Sequence, residues 1–309
     1  MSDSVNLDDL HGVYAVPPLP RKPERRRTLD FDAAERVAAH IEAGGITRYL
    51  YGGNAFLYHV TLDEYEALLG WLAHFPVTRW AIPSIGPSYG RAIDQARLLR
   101  RHAFRCAMVL PCGDPRDPCG MEAGLREIAD AAGIPLIVYI KSDDAFGADL
   151  EGSLDAVGRL LLDDVALAVK YAIVRDDPSQ DAWLEGLLRR ADRRRIISGM
   201  GERPAVVHLR DFGLGGMTTG SGCIAPRTCQ AFFEACSRGD WTSAEALRAR
   251  FMPLEDLRDA WGPARVLHHA TELSGIAPAG PIPPYVSPLD RPRLDTLAPV
   301  ARALREQDA

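Results

Sequence analysis

Apolar residues along this chain fall into short runs of strand length, separated by longer amphipathic segments with helical periodicity. The strand-length runs are at residues 13–16, 46–51, 79–82, 105–110, 135–140, 165–174, 195–198 and 213–219. Between them, Asp30 is placed to cap a helix over 31–43, and Thr61 with Glu64 forms a capping box for the next helix. Further helices are predicted at 89–102, 121–132, 154–162, 182–191 and 204–211. Eight strand candidates alternating with helices predict an α/β fold, a (β/α)₈ TIM barrel.

The alternation stops after Gly222, and the remaining sequence predicts helices at 226–237, 242–250, 254–274 and 293–305. The predicted organisation is an N-terminal tail (1–12), a barrel catalytic domain (13–222) and a C-terminal helical domain (223–309). A doubly wound sheet is the competing α/β arrangement. It is disfavoured because no GxGxxG motif follows a first strand.

The run 165–174, with the sequence VALAVKYAIV, holds one lysine in an otherwise apolar segment. Such a run suits a strand buried on both faces, where a charged ammonium is costly to desolvate. Of the 36 basic residues only Lys22, Lys141 and Lys170 are lysines. Unlike arginine, a lysine in an apolar pocket can act as an amine nucleophile. Lys170 is therefore either a nucleophile or a strand-end lysine that reaches solvent.

Composition narrows the class of protein. The 309 residues are 47% apolar and 25% charged, as in soluble globular proteins, and the net charge of −6 gives no attraction toward nucleic acid. No apolar run reaches the ~18 residues of a membrane span. The six cysteines form no CxxC pair, and we expect reduced thiols in a cytoplasmic protein.

In a barrel, chemistry gathers at the carboxyl ends of the strands. Strand two runs into Gly52-Gly53-Asn54, whose backbone N–H groups could approach an anion, although such a pair of glycines is more often just a turn. Tyr139 closes predicted strand five, Lys170 closes strand six, and Thr218 lies at the end of strand eight. A tyrosine in this position is by itself more often a core residue.

Several motifs, in this order, resemble the dihydrodipicolinate synthase and N-acetylneuraminate lyase family of class I, Schiff-base aldolases. The resemblance covers residues 12–297. It is carried by Gly44-Gly45-Ile46 with Gly52 and Leu62-Asp63-Glu64, by Pro135-Leu-Ile-Val-Tyr139, by Ala168-Val-Lys170, and by Ser198-Gly199 with Gly215-Gly216-Met-Thr-Thr219.

The resemblance implies a (β/α)₈ barrel with a C-terminal helical extension and a small-molecule 2-keto acid as substrate. It implies that Lys170 forms an imine with the ketone and that Tyr139 moves protons. Gly53 and Asn54 would hold the substrate carboxylate, and Thr218 would contribute to binding. The covalent imine replaces a cofactor, and the assembly implied is a homotetramer or homodimer.

Three departures from the family pattern bear on the substrate. The turn Gly52–Phe56 lacks two threonines that the family usually has. The tyrosine that completes a proton relay in the synthases would fall near Cys112, where this sequence has no tyrosine. The position of an arginine that binds the second substrate's carboxylate in the synthases is occupied by Asp144. We therefore expect an aldolase or a dehydratase of 2-keto-3-deoxy acids rather than the lysine-pathway synthase, with Asp144 binding substrate hydroxyls. The alternatives are a weak or inactive family member that binds a keto acid, or a true dihydrodipicolinate synthase.

No metal site is predicted. The eight histidines show no HxH or HExxH spacing, and zinc needs more ligands than Cys112 and Cys119 provide. Cys112 is expected at most to line the pocket. Glu202, which follows strand seven, is a weaker candidate for substrate contact.

Overall fold

The computed structural model describes residues 5–308. Its strands form one closed parallel barrel in which each strand neighbours the next along the chain. They are β1 (Gly12–Ala15), β2 (Arg48–Tyr51), β3 (Trp80–Ile85), β4 (Ala107–Val109), β5 (Leu136–Ile140), β6 (Ala166–Tyr171), β7 (Ile196–Ser198) and β8 (Gly216–Thr219). The predicted TIM barrel is confirmed.

Helices lie before the first strand, between the strands and after the last of them. They are α1 (Leu7–Leu10), α2 (Phe31–Ala43), α3 (Leu62–Leu72), α4 (Tyr89–Leu99), α5 (Pro118–Ala132), α6 (Leu150–Leu162), α7 (Ala182–Leu188), α8 (Glu202–Arg210), α9 (Pro226–Ser237), α10 (Trp241–Trp261), α11 (Pro263–Leu273) and α12 (Arg291–Glu306). Within residues 5–308 none of them is both long and apolar enough to cross a membrane. The N-terminal tail was predicted at residues 1–12. Residues 1–4 lie outside the described residues, and Leu7–Leu10 form helix α1.

Capping side chains set where several helices begin. Asp30 accepts the Ala33 N–H and opens α2, and Thr61 with Glu64 forms the predicted capping box of α3. Helices α5 and α6 begin three and four residues before the predicted starts at 121 and 154. Asp117 and Asp149 cap those extra turns, each accepting a backbone N–H three residues on.

The C-terminal helices differ from the prediction at one point. Helix α10 continues through Pro253 without a break, so the predicted interruption between residues 250 and 254 is wrong. The chain breaks instead at Gly262, which has φ +97°, a value that favours glycine. Helix α11 then starts with Pro263 at its first position, where the missing N–H costs nothing.

By internal contacts the chain divides into two compact units. Unit one holds the described residues up to Gly12, together with Ile82–Met200 and Val207–Met217. Unit two holds Val13–Ala81, Gly201–Val206 and the residues from Thr218 onward. The boundary predicted at residue 222 between a barrel and a helical domain stays a prediction.

Candidate active site

The predicted lysine lies in a strand of unit one that is buried along its whole length. All six residues of β6 are buried, and Lys170 itself is 4% exposed. In the parallel register between β5 and β6, Lys170 is the partner of Tyr139. The Lys170 Nζ atom lies 4.0 Å from the centroid of the Tyr139 ring. The structure thus brings together the two residues for which catalytic roles were predicted.

Both residues sit slightly differently from the prediction. Tyr139 and Lys170 were expected to close their strands, but β5 ends at Ile140 and β6 at Tyr171, one residue later in each case. Each strand continues by one residue because the β5–β6 pairing does not stop at Tyr139 and Lys170, and Ile140 and Tyr171 are also register partners. Tyr171 therefore extends the strand while its own ring packs against Trp183, with centroids 5.9 Å apart.

The turn after β7 is fitted closely around Lys170. The Gly199 N–H donates to the Tyr171 carbonyl over 2.6 Å. A Cβ at this position would lie 2.6 Å from that carbonyl oxygen, 2.7 Å from the Ala172 Cβ and 3.0 Å from the Lys170 Cγ. Distances this short leave no room for a side chain, so glycine is required for the backbone to approach the lysine.

A buried polar pair, which the sequence did not predict, links the end of β7 to helix α8. The Ser198 hydroxyl and His208 Nδ1 are 2.8 Å apart, and the two residues are 0% and 1% exposed. Burial lowers the pKa of His208 to about 4, so the imidazole is neutral near pH 7 and can accept the serine proton. The only signal in the sequence was a histidine on the apolar face of a predicted helix.

A second buried group lies on the outer side of β6. Tyr171 donates its hydroxyl to Asp181 Oδ2 over 2.6 Å, and Arg175 Nη2 donates to Asp181 Oδ1 over 3.0 Å. Burial, followed by the hydrogen bond to Asp181, raises the pKa of Tyr171 above its usual range, so this phenol keeps its proton. These contacts hold the residue next to Lys170 in a fixed position.

The loops after β4 and β5 are joined by Arg116. Its Nη2 lies 3.1 Å from Asp144 Oδ2, and its Nε donates to the carbonyls of Asp144 and Ala145. The Asp144 side chain is 64% exposed and also accepts from Ser142, a hydrogen bond that is the main cause of its lowered pKa. The acid predicted to bind substrate is therefore already paired with a cation, which the sequence prediction did not foresee.

A cavity of about 450 Å³ opens beside this loop in unit one. Arg116 and Cys112 lie on its wall among mainly apolar side chains, so the predicted position of Cys112 on a pocket wall fits the structure. A much smaller cavity of about 20 Å³ is also lined by Cys112, and its wall includes Tyr139. The loop after β4 thus contributes to the surroundings of Tyr139.

Unit two holds the other predicted binding residues. Gly53 and Asn54 form one 3₁₀ turn after β2, and the Asn54 side chain donates from Nδ2 to the Val16 carbonyl over 2.8 Å. Because this hydrogen bond occupies the Asn54 amide, the predicted binding of a substrate carboxylate would fall to the Asn54 backbone N–H. Thr218 is buried in β8. Glu202, considered for substrate contact, is 0% exposed and enclosed by protein atoms.

Across residues 5–308, no group of three or more His, Cys, Asp or Glu side chains is arranged to hold a metal ion.

The comparison with protein families decides the family. A profile of the dihydrodipicolinate synthetase family matches residues 24–302. The chain belongs to this family. Its members are lyases.

Individual relatives agree with this. The chain is 26% identical over 270 residues to 4-hydroxy-tetrahydrodipicolinate synthase 1 of Streptomyces coelicolor, covering 85% of this chain and 84% of that one. Among solved structures, dihydrodipicolinate synthase from Oceanobacillus iheyensis matches with a TM-score of 0.83 at 21% identity, covering 97% of this chain and 98% of that chain. A structure described as the first monomeric dihydrodipicolinate synthase variant matches with a TM-score of 0.80 at 16% identity, covering 95% and 96%. At these identities the solved structures establish the fold.

Proposed function

We propose that this protein is a class I lyase that forms an imine between Lys170 and the ketone of pyruvate or another 2-keto acid. The observation that carries the proposal is the 4.0 Å approach of the Lys170 amine to the Tyr139 ring inside a fully buried strand. An amine nucleophile and a phenol that can carry protons are the two groups that imine chemistry requires.

The proposed reaction begins with attack of the neutral amine on the ketone carbon, which gives a carbinolamine. Loss of its hydroxyl as water leaves the imine on Lys170, with Tyr139 passing protons between nitrogen and oxygen. The imine withdraws electrons from the adjacent carbon. A bond to that carbon can then break or form through an enamine, so the same site suits aldol cleavage, condensation or loss of water.

Roles for the remaining predicted residues are part of the proposal. The backbone N–H groups of Gly53 and Asn54 would bind the substrate carboxylate, and Thr218 would contribute further polar contact. Asp144 would accept hydrogen bonds from hydroxyls at the far end of a 2-keto-3-deoxy acid. An ionised acid at that position disfavours a second substrate with a free carboxylate.

A true dihydrodipicolinate synthase is the second candidate, and one contact favours it. Arg116 supplies a guanidinium beside Asp144, with its side chain 14% exposed on the wall of the 450 Å³ cavity. A substrate carboxylate that displaced Asp144 would meet a cation there. The sequence had indicated only that Asp144 occupies the position at which the synthases carry an arginine.

The test is a panel of substrates followed by mass detection. The protein is incubated with 2-keto-3-deoxy sugar acids in one arm and with pyruvate plus aspartate semialdehyde in the other. Release of pyruvate or loss of water in the first arm supports the leading proposal, and efficient condensation in the second supports the synthase. A pyruvate-dependent rise in melting temperature with no turnover in either arm would mean that the protein binds keto acids without catalysis, and the proposed activity would be wrong.

A further inference from the structure

Unit two encloses two carboxyl groups and a single guanidinium in a cluster that the proposed reaction does not use. Glu202, Glu255 and Arg258 are 0%, 3% and 7% exposed. Arg258 Nη1 lies 2.5 Å from Glu255 Oε1, and the same oxygen accepts the hydroxyl of Ser221. The charge of Arg258 is thus balanced by Glu255, which leaves Glu202 without a cation of its own.

Among the described residues, no cation is in hydrogen-bond contact with Glu202. Its Oε1 accepts the hydroxyl of Thr219, and the Cys229 sulfur lies 3.5 Å away. Its Oε2 is enclosed, with no hydrogen-bond partner among the described residues. An ionised carboxylate in this position would be a buried and unbalanced anion, which costs far more free energy than a neutral acid.

Burial and the neighbouring Glu255 also favour the protonated form of Glu202. Burial, followed by the nearby Glu255, raises the pKa of Glu202 to about 7, while the Thr219 hydrogen bond and Arg258 act against this rise. Cys223 and Cys229 also face the cluster, and burial raises the pKa of both thiols, so they stay uncharged. Arg258 is the one cation among the groups that shift the pKa of Glu202, and it is already paired.

Thr219 connects this cluster to the end of β8. Its hydroxyl donates to Glu202 and accepts the Gly222 N–H over 2.6 Å, while its carbonyl accepts the Val16 N–H over 2.8 Å. Because one hydroxyl both donates and accepts, the Glu202 contact fixes its rotamer and with it the turn after β8. Thr218, the predicted substrate-binding residue, is the preceding residue of the strand.

We propose that Glu202 is a positioning residue that holds its proton to a higher pH in the folded protein than in the unfolded chain and, in this protonated form, fixes the end of β8 next to the substrate through Thr219. The protonation of Glu202 and its hold on Thr219 are argued from the buried cluster alone and do not depend on the proposed function. The consequence for catalysis rests on the proposed function, because that function assigns Thr218 to the substrate.

The first test compares the free energy of unfolding of the wild type and Glu202→Gln between pH 4 and pH 9. An acid whose pKa is raised by folding holds a proton that the unfolded chain has released, so stability falls as pH rises from about 4.5 to about 7. The amide of Gln cannot ionise. The unfolding constant of the wild type relative to the variant should therefore rise by up to about tenfold per pH unit in that window and level off above it.

Two variants serve as controls. Glu185→Gln removes an exposed carboxylate from the first turn of α7, and it should reproduce the wild-type pH dependence. Glu255→Gln leaves Arg258 free to balance an ionised Glu202, so the pH dependence of stability should shrink. If Glu202→Gln does not fold, the comparison of Glu255→Gln with the wild type tests the protonation of Glu202 instead. A wild-type advantage over Glu202→Gln that is constant with pH, or that grows as pH rises, would overturn the proposal.

The second test measures the KM and kcat of the proposed reaction against pH. The wild-type KM should rise above pH 7 as Glu202 ionises, and the rise should be absent in Glu202→Gln. A loss of activity in the variant that is equal at every pH would show a merely structural role and contradict the proposal. If no keto acid binds or reacts at all, the proposed function fails, and the unfolding experiment still decides the protonation of Glu202.

Discussion

At the scale of single residues, the sequence singled out Lys170 and Tyr139, and the structure places them side by side, while their catalytic roles stay predictions. Lys170 was indicated because it is one of only three lysines and lies in an apolar strand. Its contact with Tyr139 depends on the register between β5 and β6, which only the structure shows. Arg116 was not predicted, because the pairing of one loop with another depends on how both fold.

Tyr139→Phe keeps the ring against Lys170 and removes the proton-carrying hydroxyl. General acid–base catalysis is typically worth ~10²–10⁴-fold, so kcat should fall by a factor in that range while the melting temperature is retained. Tyr285→Phe is the matched control, because Tyr285 is 97% exposed and has no part in the proposed site, so kcat should be unchanged. An equal kcat for Tyr139→Phe and the wild type would reduce Tyr139 to a packing residue.

The Arg116–Asp144 pair discriminates between substrates at the far end of the site. Arg116→Met should weaken turnover of a substrate with a terminal carboxylate if the synthase proposal holds, and Asp144→Asn should strengthen it by removing the competing acid. For a 2-keto-3-deoxy sugar acid, Asp144→Ala should instead raise KM. Steady-state kinetics with both substrates measure the difference. If neither substrate responds to Asp144→Ala, the acid has no role in binding.

At the scale of elements, local signals predicted where helices lie, but tertiary contacts decided several of their ends. The caps at Asp30 and Thr61 were recognised because the capping side chain precedes a clear amphipathic pattern. The first turn of α6, capped by Asp149, was missed because its residues do not continue the apolar stripe. A break was predicted between residues 250 and 254, yet α10 passes through Pro253 and supplies Glu255 to a buried cluster.

Gly199→Ala tests the fit of the turn after β7 around the lysine. The added methyl would meet the Tyr171 carbonyl at 2.6 Å and the Lys170 Cγ at 3.0 Å. Overpacking of this kind typically costs about 1–3 kcal/mol, and displacement of the lysine should also slow imine formation. Both effects are measured by chemical denaturation and by the rate of pyruvate adduct formation.

Gly90→Ala is the matched control in unit one. A Cβ at Gly90 would find no atom within 4 Å, and the residue lies in helix α4, so alanine should stabilise the protein by about 0.5–1 kcal/mol. If Gly199→Ala behaved like Gly90→Ala, the close approach to Lys170 would not matter.

At the scale of the whole molecule, the order of elements was enough to predict the barrel. Eight apolar runs alternating with helices leave few ways to bury both faces of a parallel sheet. The buried clusters at Ser198–His208 and Glu202–Glu255–Arg258 could not be predicted in this way. Their members lie on different elements, Ser198 on β7 and His208 on α8, and Glu202 on α8 and the Glu255–Arg258 pair on α10, so they meet only once these elements have packed.

The assembly predicted for this chain is a homo-oligomer. The C-terminal helical extension was expected to provide the apolar surface that such an interface buries. Among residues 5–308, however, only one exposed large apolar side chain, Tyr285, lies after residue 222. The others lie before it: Leu62, Val77, Tyr89, Leu150, Leu162 and Val174. Light scattering at micromolar concentration should give a mass of two or four chains. A mass of one chain would refute the prediction and would match the monomeric form described for one structural relative.

Covalent trapping tests the central claim, an imine on Lys170, most directly. The protein is incubated with pyruvate, reduced with borohydride and digested, and the modified lysine is located by mass spectrometry. The other two lysines, Lys22 and Lys141, are exposed and serve as internal controls in the same sample. The account predicts a single adduct on Lys170, which is lost in Lys170→Arg because a guanidinium cannot form the imine. Adducts only on Lys22 or Lys141, or none that depends on pyruvate, would contradict it.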